Sequence, residues 1–512
     1  MKKIILLIYL FITFLGFSQE NSIPKKMTQH GFGNIDFISV NMPNNEFNNP
    51  EENMGLTGLH YNLWLNKNFY TGLGFYGSVT GLRGGLFTLG INAGLKTNLT
   101  KKIFLDTGFH FGGGGGASAP DGGGAFILPH INFGYQFNNF STTLGYSYIN
   151  FFDKGNITSN QIRFGVQIPL NIDYTYFRNR QEKLSVNELK NSDWDQNTTN
   201  ISLLMHLNNL SPYGGSKFTN GIVLDGKTIR LAGFEIAAYV SDNWFTFFKA
   251  DGAYHGIRGG YMDIILGAGY HLALNKNRTN ILAKFGIGAG GGGGVDTAGG
   301  LLIYPDISIE QKLFNNIFIS VNKGYLMNPN QFFTSSTFGF GLKYYVNFQG
   351  IKTKTKSFKT SKIKGLEIAI GHDIYFNTQR HLIADTDLHQ IAVQANMYVS
   401  KHWYLAGKTS FANFGDAGAY AEGIVGLGVK SESFLRNKVS VFAQGLIGAA
   451  GGGEVATGQG FIIKPSAGVY YNLNKKISLR SEAGYVKASS GNLSSVYFNF
   501  GLSYRIGFLT SH

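Results

Sequence analysis

Cysteine, charge and long apolar runs are scarce or missing in this sequence. There is no cysteine, which excludes disulfides, a lipid-modified N-terminal cysteine, thiolate metal sites and cysteine nucleophiles. Charged residues make up 14%, well below the roughly 25% of soluble domains. After the N-terminal segment there is no run of about 18 apolar residues, so no membrane-spanning helix is predicted.

Glycine is abundant, and glycine runs occur three times in a related context. The runs are Gly112 to Gly116, Gly290 to Gly294 and Gly451 to Gly453. Each is followed by a few small residues, an apolar triplet or near-triplet, and then a proline: Pro129, Pro305 and Pro465. The chain is therefore a triplication, with copies of roughly 150 residues, a common domain size.

The N-terminus has the three-part pattern of a secretory signal. Lys2 and Lys3 precede an apolar run from Ile4 to Phe17, and Ser18 before Gln19 is a plausible cleavage site. We therefore predict a cleaved signal peptide at residues 1–18 and an exported mature chain. The alternative is an uncleaved anchor, for which the run is short.

Apolar residues between the glycine runs recur at every second position, which predicts long strands with one apolar face. The last strand of the third copy has this apolar face: Val496, Phe498, Phe500, Leu502, Tyr504, Ile506, Phe508. The opposite face is Tyr497, Asn499, Gly501, Ser503, Arg505. The last strands of the other two copies, around Phe164 and Phe340, follow the same pattern.

The polar face of these strands is mostly glycine, serine, threonine and asparagine, which suits a crowded barrel interior. The apolar face lacks charge, as lipid contact requires, because a cation at mid-bilayer costs roughly 2–4 kcal/mol. Strands of about ten residues match a tilted membrane crossing. We predict an all-β fold, a transmembrane antiparallel up-and-down β-barrel. A secreted soluble β protein is the alternative.

Loop lengths give each copy a polarity. Strands 2 and 3 are joined by tight polar turns next to Trp64, Trp244 and Trp403, which fits an interfacial aromatic girdle. Strands 1 and 2 are joined by longer loops: Met42 to Met54, Leu210 to Thr228, and Asn377 to Asp387. In outer-membrane barrels the short turns face the periplasm, so both ends of each copy are expected there.

We predict repeat 1 at residues 30–174, a linker at 175–197, repeat 2 at 198–348, a basic linker at 349–364 and repeat 3 at 365–509. Linkers of this length are longer than turns within one barrel. They favour three tandem eight-stranded barrels, with one 24-stranded barrel as the alternative. The choice matters because an eight-stranded barrel is filled by its own side chains, whereas a large barrel encloses a channel or a plug.

The third copy contains Lys464-Pro465-Ser466-Ala467-Gly468-Val469-Tyr470-Tyr471, then Ala483-Gly484-Tyr485, then the closing strand to Phe508. In this it resembles the small eight-stranded outer-membrane barrel family that includes OmpA-like and OmpW-like domains. The Gly-Tyr pair recurs at Gly145-Tyr146 and Gly324-Tyr325. The resemblance implies that the closing strand is read by the barrel-insertion machinery. The chain departs from the family in continuing from Leu509 to His512.

Candidate contact residues are basic. Arg83 and Arg258 fall at the same outer turn of copies one and two and could bind a lipopolysaccharide phosphate or another anion, although incidental placement at a glycine turn is the alternative. Four lysines of the second linker could contact anionic lipid or an acidic periplasmic partner: Lys352, Lys354, Lys356, Lys359. The alternative is that this segment is a solvated linker without a partner.

No catalytic constellation is expected. His110 and His130 could serve a lipid-modifying enzyme but fit a packed interior network better, and Asp106, Lys284, Arg480 and Glu482 fit ion pairs inside the barrels. We predict no enzyme, no cofactor, no metal and no nucleic-acid partner. Outer-membrane lipids and the insertion machinery are the expected partners, together with an unidentified envelope protein. The leading hypothesis is an outer-membrane protein with a structural, docking or surface-interaction role, ahead of a pore or transporter and of a lipid-modifying enzyme.

Overall fold

The computed structural model describes residues 23–44, 48–353 and 358–512, and its regular structure is almost entirely antiparallel β-strand. The all-β prediction is therefore confirmed. The predicted signal peptide, residues 1–18, and Lys354 and Lys356 of the basic linker lie outside the described residues. Within the described ranges, no helix has the length and apolar character needed to cross a membrane.

Strands β2 to β9 form a closed ring of eight, because β2 pairs with both β3 and β9. Two short strands, β1 (Met27–Gln29) and β10 (Ile172–Tyr174), pair with each other outside this ring. The ring strands are β2 Gly31–Val40, β3 Met54–Trp64, β4 Phe69–Thr80, β5 Phe87–Asn98, β6 Ile103–Gly115, β7 Phe126–Gln136, β8 Ser141–Phe151 and β9 Thr158–Pro169.

The next strands follow a segment that contains β11 (Lys183–Ser185) and a short helix, Val186–Leu189. Strand β12 pairs with both β13 and β19, so β12 to β19 form a second ring of eight. These strands are β12 Thr199–Pro212, β13 Ile229–Tyr239, β14 Trp244–His255, β15 Met262–Leu274, β16 Thr279–Gly291, β17 Leu301–Phe314, β18 Ile317–Met327 and β19 Thr334–Phe348.

Strand β20 pairs with both β21 and β27, which closes a third ring of eight. Its strands are β20 Thr360–Thr378, β21 Thr386–Tyr398, β22 Trp403–Phe414, β23 Ala421–Lys430, β24 Val439–Gly451, β25 Phe461–Asn472, β26 Ile477–Ala488 and β27 Ser494–Ser511. We call the rings the first, second and third barrel. Their two ends are the short-turn end and the long-loop end, named from the connections found there.

The predicted orientation of the strand faces is confirmed. Ile162 and Phe164 of β9 are 69% and 51% exposed, while Arg163 between them is 5% exposed. The same contrast holds in the third barrel, where Phe500 is exposed and Asn499 is buried. The apolar residues therefore form an outer belt and the polar residues fill the inside, the reverse of a soluble protein.

Inward glycines make room for large neighbours in these narrow rings. A Cβ at Gly134 would collide with the ring of Phe104, and one at Gly428 with the ring of Tyr404. Glycine at inward positions thus lets aromatic side chains fill the interior of a barrel only eight strands wide.

The three barrels pack around a common centre at the long-loop end. Strand β4 of the first barrel lies beside β16 of the second, β14 of the second beside β24 of the third, and β22 of the third beside β6 of the first. An apolar cluster with members from all three barrels lies where they meet: Phe87, Leu89, Ala289, Ile391, Phe411. Each barrel thus contacts the next in a closed cycle.

The two linkers pack together at the short-turn end instead of spanning open solvent. Trp194, Ile351, Ile363 and Leu509 share one buried apolar cluster, which we call the base. Strand β27 continues past Phe508, so Thr510 pairs with both Phe348 and Lys362. The C-terminal extension therefore joins the second barrel to the third.

The repeat boundaries need small corrections. The first strand of repeat 3 begins at Thr360, so Lys362 and Lys364 lie in a strand and not in the linker as predicted. The physical reason is that β27 extends to Ser511, so that its last residues pair with the backbone of Lys362 and Lys364 at the short-turn end. The segment 175–197 also packs on the third barrel, where Phe177 contacts the Tyr398 ring and the Arg180 guanidinium donates to the Lys401 carbonyl.

Candidate functional site

The first barrel contains a buried network of histidine, tyrosine and ionised groups. The Arg163 guanidinium is paired with the Asp36 carboxylate, and its Nε donates to Asp36 Oδ2 at 2.8 Å. Asp106 accepts from the Tyr70 hydroxyl at 2.8 Å and from Gln167 at 2.9 Å. These side chains come from β2, β4, β6 and β9, and all of them are buried.

The second barrel has alternating lysines and carboxylates in its interior. The Lys249 ammonium lies 2.6 Å from Asp251 and 2.7 Å from Asp263. Lys284 lies 2.8 Å from Glu235 and 3.1 Å from Asp306. Lys343 pairs with Glu310 at 2.8 Å. Three lysines thus face five carboxylates, and each lysine lies within ion-pair distance of at least one of them, as buried ions require.

The third barrel has the densest network. The Lys464 ammonium, with no exposed side-chain surface, lies 2.7 Å from Asp373 and 2.6 Å from Glu422. Asp373 also pairs with Lys408, and Glu482 pairs with Arg480 at 2.5 Å. A cavity lined by Lys408, Arg480 and neighbouring small residues has a volume of about 10 Å³, about enough for one water molecule.

These interiors match part of what the sequence predicts. Lys284, Arg480 and Glu482 form buried ion pairs as expected, and Asp106 lies in a buried hydrogen-bond network. Sequence reasoning missed most of the partners, above all Lys464. The pattern that could have identified these partners is a charged residue at an inward position of a strand in which apolar and polar residues alternate.

His110 and His130 also face the interior of the first barrel. His110 Nδ1 lies 2.6 Å from the Asn92 side-chain oxygen, and His130 Nε2 lies 3.8 Å from Asp106. Neither ring reaches the outer belt. In the described part of the chain, no cluster of three or more histidine, aspartate or glutamate side chains could hold a metal ion.

The glycine runs form the junctions between barrels. The Gly84 amide of the first barrel donates to the Ala298 carbonyl of the second at 2.7 Å. Equivalent bonds join Gly259 to Gly458 at 2.9 Å and Gly418 to Gly122 at 3.1 Å. In each pair a turn of one barrel lies on the glycine-rich loop of the next. The sequence predicts close backbone approach at the rim, but not that the approaching backbone belongs to another barrel.

Local backbone geometry explains why these loops need glycine. Gly116, Gly292 and Gly452 occupy the same position in the three loops and have φ of 134°, 93° and 96°, a region that side chains disfavour. Each loop then folds back by the same turn, in which residues 119, 295 and 455 donate to these glycine carbonyls. The recurrence of the runs therefore reflects one junction built three times.

One junction contains a buried acid. Asp121 Oδ2 accepts from the Gly116 amide at 2.7 Å and lies beside Gly418 of the third barrel. Burial raises the pKa of Asp121 to about 7 from an ordinary value of 3.8. Thr297 and Thr457 take this position in the other two loops, by alignment of the runs.

Arg83 and Arg258 lie at these junctions, and both are already paired. Arg83 forms two hydrogen bonds with Glu51, at 2.7 and 2.6 Å, and donates to the carbonyls of Ala117 and Ser118. Arg258 donates to Glu454 of the third barrel at 2.9 Å and remains about half exposed. Anion binding at these two residues stays a prediction, and it would have to compete with these carboxylates.

The lysines predicted to contact a periplasmic partner are placed only in part. Lys352 lies 2.8 Å from Asp195 of the other linker, and Lys359 is exposed. Lys354 and Lys356 fall outside the described residues. The Lys352 pair joins the two linkers at the base.

No model of a known protein family matches the chain, and no curated protein sequence matches it. Among solved structures, the chain is similar to OpdQ of Pseudomonas aeruginosa at 9% identity, with 94% of this chain and 98% of that chain covered and a TM-score of 0.21. It is similar to the P. aeruginosa ferric enterobactin receptor PfeA at 10% identity, with 93% and 81% covered and a TM-score of 0.29. It is also similar to the P. aeruginosa siderophore receptor PirA at 9% identity, with 94% of this chain and 81% of that chain covered and a TM-score of 0.24. TM-scores this low carry no argument about function.

Proposed function

We propose that this protein is an integral outer-membrane protein of three tandem eight-stranded barrels, which acts as a non-conducting scaffold for docking at the cell surface. The observation that carries the proposal is the filling of each interior by buried, mutually paired charges around Asp36, Lys284 and Lys464. A barrel filled in this way has no continuous water path and serves as an anchor.

An outer-membrane location is supported by the outer belt. Exposed residues on the strands are large and apolar, with Ile162 at 69% and Phe285 at 58%. Such a belt on paired strands is stable in lipid, where every backbone group must find a partner within the protein. In this orientation the short-turn end and the base lie in the periplasm and the glycine junctions lie outside.

A docking role is supported by the loops of the long-loop end. Ile222, Val223 and Leu382 are 57%, 52% and 82% exposed there, beyond the strands that form the outer belt. Exposed apolar side chains outside a lipid belt are typical of protein contact sites. The junctions fix the three loop sets relative to one another, so a partner would meet one rigid surface.

Insertion by the barrel-assembly machinery and a relationship to OmpA-like barrels form part of the same proposal. The lipid-modifying alternative is disfavoured because His110 and His130 face the interior of a filled barrel. The pore alternative requires a single open ring, whereas strands 1 and 8 of each repeat pair with each other.

Planar-bilayer recording tests the non-conducting part of the proposal. Purified full-length protein is expected to insert without stable conductance steps, with a known porin as the positive control. Large, long-lived open steps from the pure protein would contradict self-filled barrels.

Proteolysis tests the three-barrel part. Specific protease sites inserted at residues 190–191 and at residues 354–357 should, after cleavage, give fragments that stay associated through the junctions. On heating in detergent they should separate into three fragments, each with its own heat-dependent gel shift. One inseparable heat-modifiable species would instead support a 24-stranded ring.

A further inference from the structure

Lys323 is a cation on the outward, otherwise apolar face of β18. Its neighbours on that face, Ile319, Val321 and Tyr325, are exposed. The Lys323 ammonium donates to the Ser336 hydroxyl of β19 at 3.3 Å, and Ser336 lies directly opposite Tyr325. A lysine, a serine and a tyrosine therefore converge on one spot of the lipid-facing surface.

The third barrel repeats this set of residue types. Lys487 is exposed on the outward face of β26 and lies opposite Ser494 of β27. The Tyr485 hydroxyl is hydrogen-bonded to the Ser494 hydroxyl. Tyr485 and Tyr325 are each the second residue of the recurring Gly-Tyr pair, so the two tyrosines occupy the same place on their barrels. The lysine lies two residues before the tyrosine in the second barrel and two residues after it in the third.

The first barrel lacks the site. Tyr146 of its Gly-Tyr pair lies opposite Ile162, where the second barrel has Ser336, and no serine lies opposite Tyr148. Leu144 takes the position of Lys323, and Tyr148 that of Lys487. The strands themselves therefore do not require these lysines, since a barrel of the same design does without them.

The position of the two lysines along their strands places them near a membrane interface. Strand β18 ends at Met327, four residues after Lys323, and β26 ends one residue after Lys487, in both cases at the long-loop end. A cation is costly at the bilayer centre but nearly neutral close to the interface. A long lysine side chain can also reach toward the head groups while its methylenes stay in the apolar region.

Among the described residues, the Lys323 ammonium has the Ser336 hydroxyl as a partner, and neither lysine forms an ion pair with a carboxylate. Arg83 and Arg258, by contrast, are bound to Glu51 and Glu454. Lys323 and Lys487 thus keep ammonium hydrogens available for an external anion, next to hydroxyl donors and beside apolar side chains suited to acyl chains.

We propose that the Lys323 site and the Lys487 site each bind a phosphate of lipid A, the phosphorylated glycolipid of the outer leaflet. This inference rests on the proposed outer-membrane location, with the long-loop end outside. The lysine supplies the charge, the serine and tyrosine hydroxyls donate to phosphate oxygens, and the flanking isoleucine and valine side chains contact the acyl chains.

The test is lipid retention by the full-length protein in detergent, measured by native mass spectrometry with added bisphosphorylated lipid A. The double variant Lys323→Gln/Lys487→Gln is expected to bind lipid A about 25-fold more weakly, about fivefold for each lysine. The control Lys217→Gln/Lys227→Gln removes the same charge from exposed loops of the second barrel and should stay within about twofold of the parent.

Two further arms identify the ligand. Dephosphorylated lipid A and phosphatidylglycerol should both bind more weakly than lipid A and be insensitive to the double variant. Placing lysine and serine in the first barrel, by Leu144→Lys/Ile162→Ser, should add one lipid A to the maximum number retained. The Lys323→Arg variant should retain binding.

If the control variant Lys217→Gln/Lys227→Gln lost as much lipid A binding as Lys323→Gln/Lys487→Gln, the proposed sites would be overturned, because binding would then depend only on total charge. Equal retention of dephosphorylated lipid A would overturn phosphate recognition, and equal retention of phosphatidylglycerol would overturn the choice of lipid A. All variants are first checked for the heat-dependent gel shift and for insertion into vesicles. Failure of the parent protein to insert would overturn the proposed function itself, and the site with it.

Discussion

Gly451 of the third barrel lies against Gly259 of the second so closely that no side chain fits between them. A Cβ on Gly451 would collide with the Gly259 carbonyl carbon and the Gly260 nitrogen. Both contacts are backbone atoms, which cannot rotate away as a flexible side chain could. The three junctions are therefore set by the absence of side chains.

Replacing this glycine should loosen one junction and leave the barrels folded. We expect Gly451→Ala to cost about 1–3 kcal/mol, as overpacking typically does. After cleavage of both linkers, the third-barrel fragment should separate at a lower temperature than in the parent. Gly445→Ala is the matched control on the same strand, since nothing lies within 4 Å of a Cβ there. Identical separation temperatures for the two variants would contradict the junction.

The buried charges should matter far more than those at the surface. Lys464→Met removes the cation between Asp373 and Glu422 and leaves two buried carboxylates without it, so we expect a loss of about 3–5 kcal/mol. The measurement is the midpoint of the heat-dependent gel shift. Lys154→Gln is the control, because Lys154 pairs with Asp416 while 71% exposed, and such pairs contribute little. Equal midpoints would show that the interior ion pairs do not hold the third barrel together.

The sequence predicts the strands and their faces well because alternation is a local signal. The exposed face of Val496 and Phe500 and the buried face of Tyr497 and Asn499 follow directly from the pattern. The ion-pair partners could not be predicted, because Lys464 meets Asp373 across 91 residues of chain and through the barrel interior. The junction partners of the glycine runs depend on how the barrels pack, which no local pattern records.

Asp121 should make the junction between the first and third barrels sensitive to pH. Its folded-state pKa of about 7 lies above its unfolded value, so its stabilising contribution is complete below about pH 4 and is lost as the pH rises through about 7. We expect the separation temperature of the first and third barrels to fall between pH 5 and pH 8. Asp121→Asn should flatten this fall. Asp121→Thr, which introduces the residue found in the other two loops, should flatten it as well. A fall of the same size in both variants would assign the pH dependence to other groups.

Trp194 should hold the base together. Its indole nitrogen donates to the Pro24 carbonyl at 2.8 Å, and the ring is 1% exposed among Leu189, Ile351 and Leu509. Trp194→Ala should cost about 3–5 kcal/mol of local stability, as removal of a buried aromatic ring does. Because the base lies outside the barrel walls, the loss should appear as faster protease cleavage within residues 175–197 and 349–359, with the heat-dependent gel shift unchanged. Trp244→Ala is the control, since Trp244 is 55% exposed at the start of β14 and is not part of the buried cluster of the base. If Trp194→Ala left cleavage of both linkers at the parental rate, the linkers would be independent spacers and the base would have no role in joining the barrels.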